Sequence, residues 1–544
     1  MSRVVSLSEA VSGIPDGALV TFGGFDLNRA PLALARELVR QGKRNLRVVS
    51  PPDPLPLDLL VGAGVVAEAE FGYIGFQYEH GFVVSPNVRR AVEQGTLRWR
   101  ERDVFEIVQG LRAAATGVPF LPIPGGDASD YARVNPAPRM PIEPGGTTIP
   151  VAPAIRPDAA LLHAQEGDAD GNLHITDPYA DDLVARASRR VIATVERLVP
   201  RVRQPSVVGV RADALVEARG GAFPSACHGH YRHSAAHLRA WMGQAAEGRF
   251  ADYLASFVTG PSDPEGLIAA AGGLPAWPAD RDDPAGAGRS AQAPRQAATE
   301  PPATVADRVV VGLARLVADG DLVVTGLASA LPMLAVAVAK ATHAPRITYV
   351  NCVGAVDPEI ASVGATSVDA RLLDRCRGRV VLTDLFDLAR NGRIDLMYFG
   401  AAQVDAEARL NLTCIGDYAR PRVKLPGPAG STSIRTFVRK VVVLAPRHTP
   451  RTLVGRVDFA SSVGSALNRE TWVVSDLAVL RLEGGRLRAA SRHAGVTPED
   501  LKEKTGFDLG ESILVAGATP EPTRQEMAAL RRLDPEGMRH RLIG

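Results

Sequence analysis

At 544 residues the chain is too long for one small module and suggests several structural units. Hydrophobic residues make up 46% and charged residues 22%, which sets aside disordered and collagen-like architectures for most of its length. Lys plus Arg number 62 against 60 for Asp plus Glu, so no net field recruits nucleic acid or an anionic membrane, and neither is expected as a partner.

The opening residues, MSRVVSLSEAVSGIPDG, contain no apolar core of a secretory signal. The four cysteines, Cys227, Cys352, Cys376 and Cys414, form no CxxC pair and fall far short of a disulfide framework, so a reducing cytoplasm is the expected location. DGALVTFGGF predicts a strand running into a glycine turn, PLALARELVRQ a helix and NLRVVS the next strand. The paired Gly23 and Gly24 would let the backbone approach an anion at the start of that helix, or would simply make a tight turn. GxGxxG is absent, so a dinucleotide site is not supported. Further on, Glu101 and Glu106 both precede a small-residue helix, GLRAAATG, at whose start the dipole stabilises a carboxylate, if only as an N-terminal cap. The run His163 to Asn172 predicts a strand entering a polar turn. Cys227, His228, His230, His233 and His237 are grouped, but without HExxH or a carboxylate in register, and no metal is expected there.

From Gly273 to Ala303 the chain is Pro, Ala, Gly and charge with no apolar period, which reads as a linker. After it, TVADRVVVGLARLVADG predicts a helix, DLVVTGL a strand, PMLAVAVAKAT a helix and RITYVNC a strand, the same logic as in the first half. The uncharged stretch Leu322 to Ala339 carries Thr325, Gly326, Ser329 and Pro332, and reads as strand, turn and buried helix rather than a membrane span. Gly400, Ala401, Ala402 and Gln403 follow a strand, and small residues there suit an oxyanion pocket for a thioester carbonyl. The Gly- and Pro-rich loop Arg422 to Ser431 suits either phosphate contact or plain connection.

In their order and spacing these segments resemble the family I coenzyme A transferases of the glutaconate type, in which α and β subunits carry related folds. The resemblance rests on DGALVTFGGF, LRAAATGVPFLPI, HAQEGDADGNLHITDPYADDL and TVERLV in the first half. In the second it rests on GAVDPE, DLMYFGAAQVDAEARLNLTCIGDY, RPRVKLPGPAG, GRVDFASSVG and GVTPEDLKEKTGFDL. It implies a fused α-β enzyme in which a β-domain glutamate attacks the thioester, passes through an acyl-glutamyl anhydride and carries coenzyme A as a glutamyl thioester. The matching stretch, Tyr349 to Pro358, places Cys352 where that glutamate is expected. A cysteine cannot form the anhydride, although a thiolate could take an acyl group. The departure resembles the steroid-ring-degrading CoA-thioester hydrolases of the same superfamily, which implies an α-domain carboxylate as base, Glu101 or Glu106 here.

The expected fold is therefore α/β, with two related open and mostly parallel sheets covered by helices on both faces. Its boundaries are an α-like domain over 1–272, a linker over 273–303 and a β-like domain over 304–544, with the active site between the domains. The expected activity is transfer of coenzyme A from an acyl-CoA to a carboxylate. Hydrolysis of a cyclic or β-keto acyl-CoA is the alternative, and an inactive CoA-binding protein a third reading. Glu101, Glu106 and Cys352 are the candidate catalytic residues, and Gly23, Gly24, Gly400, Ala401, Ala402 and Gln403 the candidate CoA-binding residues. Coenzyme A is expected as substrate with no separate cofactor or metal, and homo-oligomerisation is left open.

Overall fold

Strands alternating with helices build two large sheets, one from each half of the chain, with four small sheets of two or three strands beside them. The computed structural model describes residues 3–123, 128–142, 146–177, 179–261, 263–278 and 302–543; most of the predicted linker, 279–301, lies outside the described residues. In the first sheet the strand Leu19–Phe22 pairs in parallel with Leu46–Ser50 on one side and Ala159–Gly167 on the other. Parallel pairing continues outward through Val66–Phe71 and Arg98–Glu101 at one edge, and through Val191–Leu198, Ala214–Glu217 and Arg3–Val4 at the other. The central strand Ala159–Gly167 is buried along nearly its whole length, as a parallel strand covered on both faces must be. Helices return the chain between neighbours, and their ends are written locally. The helix Val104–Thr116 starts where the Asp103 side chain accepts the Phe105 N–H, and stops at Gly117, which takes a left-handed φ of 75°.

The second sheet is parallel at its centre and mixed at its edge. The strand Leu322–Thr325 lies between Thr348–Asn351 and Leu396–Gly400, and the parallel set runs on through Lys440–Ala445 to Glu470–Ser475. There the order reverses into an antiparallel meander, Ala478–Glu483 and Arg486–Arg492. The helix Ala330–Ala341, from the uncharged stretch, has 12 residues and spans only ~18 Å, short of the ~30 Å of a bilayer core. Among the described residues no helix is long and apolar enough to cross a membrane.

The sheets share a core. One contiguous apolar cluster runs from Val20, Phe22 and Leu34 of the first half to Val324, Val350 and Leu410 of the second. Polar links cross the same boundary: the Asn28 side-chain amide donates to the Val368 carbonyl (2.8 Å), the Val104 N–H to Ala429 (2.7 Å), and the Ser433 hydroxyl to Asp103 (2.8 Å). A chain cut by protease within 273–303 is therefore expected to elute from a gel-filtration column as one particle, because burial of this size outlasts the loss of the covalent tether. Two separately eluting halves would show that the shared core is not what joins them.

Candidate active site

The backbone itself makes the cavity. At the end of strand Thr348–Asn351 the chain turns within four residues, the Gly354 N–H donating to the Asn351 carbonyl (2.9 Å). Gly354 adopts a φ of 90°, and a Cβ there would lie 2.2 Å from the Val380 carbonyl oxygen, so no larger residue fits. This turn directs Cys352 into a cavity of about 630 Å³ between the two halves, within the range of small-molecule sites. Leu322–Thr325 ends on the same cavity through Gly326, Leu327, Ala328 and Ser329, and Leu396–Gly400 through Gly400, Ala401 and Ala402. The first half closes it with Phe25, Pro52, Tyr73, Gln77 and Val104, and Arg89 contributes a cation. Strand ends meeting a crevice are where open α/β sheets place their ligands.

Of the residues singled out from the sequence, Cys352, Gly400, Ala401 and Ala402 line this cavity together. Cys352 is 5% exposed, and burial, with the negative charge of Asp26 adding to it, pushes its thiol well above the ordinary range. That environment opposes the thiolate a nucleophile requires. Gln403 does not reach the cavity lining. Its Oε1 accepts from the Asn411 side chain (2.8 Å) and the Asp458 N–H (3.0 Å), fixing the loop behind Ala402.

Gly23 and Gly24 are outside the lining as well, where the packing around them is close. A Cβ on Gly23 would fall 2.3 Å from Asp181 Oδ1, and one on Gly24, whose φ is 87°, 2.6 Å from the Arg29 carbonyl oxygen. They admit a buried network in which Arg29 donates to Asp177 (2.6 Å), Asp181 (2.7 Å) and the His163 carbonyl (2.7 Å).

Glu101 and Glu106 stand outside the cavity too. Glu101 is fully buried at the end of strand Arg98–Glu101. Its Oε1 receives the Lys424 Nζ at 2.5 Å, and its Oε2 the Tyr131 hydroxyl at 2.6 Å. Burial pushes its carboxyl above the usual range against the opposing Lys424 ammonium, and that ammonium, with all three donors engaged, makes it a paired group rather than a free base. Its Oε1 lies 2.9 Å from where a Cβ on Gly427 would sit, so Glu101 is one residue behind the cavity wall. Glu106 pairs with Arg102 and borders a separate cavity of about 130 Å³ beside Tyr131 and Ser433. Among the described residues that line the main cavity there is no carboxylate.

The histidine group resolves into separate partnerships. His228 meets Asp374 (2.7 Å), His233 meets Glu79 (2.8 Å) and His237 the Tyr253 hydroxyl (2.9 Å). Cys227 lies instead near His163 and Glu196. Glu196 is already committed to the His163 ring (2.8 Å), the Tyr231 hydroxyl (2.7 Å) and the Gly220 N–H (2.9 Å). Burial, and then the nearby Arg36, lowers His237 to about 3, well below an unfolded value of about 6.5. Its stabilising contribution is therefore complete above pH 6.5 and is lost as pH falls and the unfolded chain takes up the proton first, about 3 kcal/mol by pH 4. Urea unfolding should show wild type losing its advantage over His237→Phe by that amount between pH 7 and pH 4. A gap independent of pH would contradict the buried neutral imidazole.

Two aspartates, Asp26 and Asp53, do not stand out in the sequence. Both are buried beside Phe25 and Pro52, and no carboxylate oxygen of either has a hydrogen-bond partner. The signal is present in FGGFD and PPDP, a charge set at the closed end of an apolar strand and turn, but it reads there as ordinary turn chemistry.

The sequence profile of the family described as Coenzyme A transferase matches residues 4–217 and 307–504, most of both halves. The chain belongs to this family. As a coenzyme A transferase family enzyme it is 30% identical to one component of the 3-oxoadipate CoA-transferase of Pseudomonas knackmussii, over 48% of this chain and 96% of that protein. It is 31% identical to the IpdA component of the cholesterol ring-cleaving hydrolase of Rhodococcus jostii, over 48% of this chain and 93% of that protein. Among solved structures, the acyl-CoA transferase YdiF of Escherichia coli O157:H7 shares the fold across 96% of this chain and 94% of its own, with a TM-score of 0.64 and 17% identity. The decarboxylase AibA/AibB is 42% identical over 44% of this chain and 99% of that chain, with a TM-score of 0.42.

Proposed function

We propose that the cavity between the halves binds an acyl-CoA thioester, and that the enzyme moves coenzyme A from it to a carboxylate acceptor held in the same space. The observation that carries this reading is the meeting of strand ends from the second sheet with the Phe25, Pro52 and Tyr73 wall of the first, around a volume that admits an acyl group and pantetheine. Arg89, whose Nε pairs with Glu93 at 2.9 Å and whose side chain is 42% exposed, offers its remaining guanidinium N–H groups to the phosphates at the mouth. The backbone at Gly400 and Ala401 suits the thioester carbonyl, the Ala402 N–H being committed to the Asn411 carbonyl (3.0 Å).

A second reading, hydrolysis of a cyclic or β-keto acyl-CoA, is favoured by one feature. Cys352 stands where the resemblance expects the glutamate nucleophile, and its buried thiol is a poor substitute. Hydrolysis needs a base and an oxyanion pocket but no residue to carry coenzyme A. Release of free coenzyme A thiol, followed with and without added carboxylic acids, separates the two. Transfer consumes the acyl-CoA only when an acceptor is present and yields a new thioester. Steady thiol release in its absence would replace transfer by hydrolysis.

A further inference from the structure

Charge stops at the rim of the cavity. Among the described residues that line it there is no carboxylate, and the only Lys or Arg is Arg89 at the mouth, with its Nε on Glu93 (2.9 Å). The wall contributed by the second half is hydrocarbon. Helix Leu382–Arg390 turns Leu382, Leu385 and Phe386 toward the cavity, the i, i+3, i+4 spacing of one helix face. Its charged side chains leave by other faces: Asp387 pairs with Arg112 (3.2 Å), and Arg390 lies 5.0 Å over the ring of Phe105, which packs on Phe386 with 5.5 Å between ring centres. Neither reaches the lining. Ile434, from helix Ser431–Phe437, and Met397, from strand Leu396–Gly400, continue the same wall. Gly430 lets it close. A Cβ there would stand 2.7 Å from Phe386 Cε1 and 2.9 Å from Ile434 Cδ1, so a larger residue would force the apolar corner apart.

The lining also holds neutral polar groups, several of them already committed. The Tyr398 hydroxyl donates to the Leu313 carbonyl (3.0 Å), the Ser329 hydroxyl to the Leu327 carbonyl (3.1 Å), and the Thr325 and Tyr349 hydroxyls share a bond of 2.7 Å. Those left, Tyr73, Gln77 and Cys352 among them, are uncharged side chains that suit a carbonyl or a hydroxyl rather than an ion.

We infer that the acyl group taken by this cavity is uncharged and largely hydrocarbon, the acyl group of a monocarboxylic acid, and that thioesters of dicarboxylic acids are rejected. The inference rests on the acyl-CoA reading of the cavity and names its substrate class. A second carboxylate at the far end of the acyl chain would exchange water for Leu385, Phe386, Met397 and Ile434 with no cation to meet it, and an ionised group is buried only at high cost unless it is paired. A methyl end in the same place gains from every apolar contact that removes it from water. The wall constrains the acceptor in the same way, since its one carboxylate is the reacting group and its body must share the apolar space. Selection here works by rejection of the wrong charge more than by recognition of a particular hydrocarbon shape.

Two ligands that differ at one carbon test this. Analogues of hexanoyl-CoA and adipoyl-CoA, each with a methylene between sulfur and carbonyl so that neither can be cleaved, end in a methyl group and in a carboxylate. Their affinities for the full chain are measured by calorimetry at pH 7, beside that of coenzyme A itself. The hexanoyl analogue is expected to bind more tightly than coenzyme A, and the adipoyl analogue at least about tenfold more weakly than the hexanoyl one. Equal affinities, or a tighter adipoyl analogue, overturn the inference and leave the acyl-CoA reading standing. Acyl analogues no tighter than coenzyme A would remove that reading, and the inference with it. Met397→Lys places an ammonium in the wall on a stem of similar length, and should narrow the gap between the two analogues by about fivefold. A melting curve establishes that the variant is folded. A gap unchanged in the folded variant would mean that the acyl end does not meet this wall, which also overturns the inference.

Discussion

Replacing Lys424 with Met is expected to destabilise the protein by about 3–5 kcal/mol, the cost of leaving a buried charge without its partner. Lys424 is fully buried, and its ammonium uses all three protons, donating to Glu101 Oε1 (2.5 Å), the Thr413 carbonyl (3.1 Å) and the Leu425 carbonyl (2.7 Å). It also lies 5.3 Å from the Trp99 ring centre and 5.6 Å from that of Phe71, which favours a cation there. Without it, Glu101 keeps hydroxyl partners, Tyr131 on Oε2 and the nearby Thr413, but is left an enclosed, unbalanced carboxylate. Glu101→Gln should be damaging for the converse reason. The double variant Glu101→Gln/Lys424→Met, with neither charge left, should recover much of the loss, since an ion pair exchanged whole for neutral groups is often nearly neutral in stability. Urea unfolding of the four proteins measures this. Two single losses that simply add would mean that the pair does not act as one unit. Because Glu101 comes from the first half and Lys424 from the second, the same experiment weighs one bond of the interface that forms the cavity.

The second large effect is on binding. Ala401 lines the cavity beside Gly400, where a Cβ would meet nothing within 4 Å, so the space in front of this strand end is open. Ala401→Leu fills it with three further carbons, and should weaken acyl-CoA binding at least about tenfold by calorimetry. The melting temperature should hardly move, because the added atoms occupy the cavity rather than the packed core. Unaltered affinity would place the acyl group elsewhere.

The alternation of apolar strands, glycine turns and amphipathic helices made the α/β class and both sheets legible in the sequence. Period and turn chemistry are local, and the parallel centres obey them. The antiparallel meander from Glu470 to Arg492 was less visible, since a strand that reverses direction carries the same apolar pattern as one that does not. Half of the site was legible for the same reason. Small residues after a strand announce close approach, and Gly400 to Ala402 do line the cavity, whereas Gly23 and Gly24 carry the identical signal and spend it on the Arg29, Asp177 and Asp181 network. Glu101 shows the limit most clearly. An acid ahead of a helix reads as a base in waiting, and only the fold reveals Lys424, 323 positions away in the chain, already bonded to it. Asp26 and Asp53 lie in ordinary turns, and what distinguishes them, a partner that is missing, exists only once the chain is folded.

The most direct test is a crystal structure of the protein with a non-hydrolysable acyl-CoA analogue. The acyl carbonyl is expected between Cys352 and the Gly400–Ala401 backbone, its oxygen within hydrogen-bond reach of the Cys352 sulfur or those N–H groups, and the coenzyme A phosphates toward Arg89. An acyl group seated instead in the smaller cavity by Glu106 and Tyr131, with the space between the halves empty, would contradict the account.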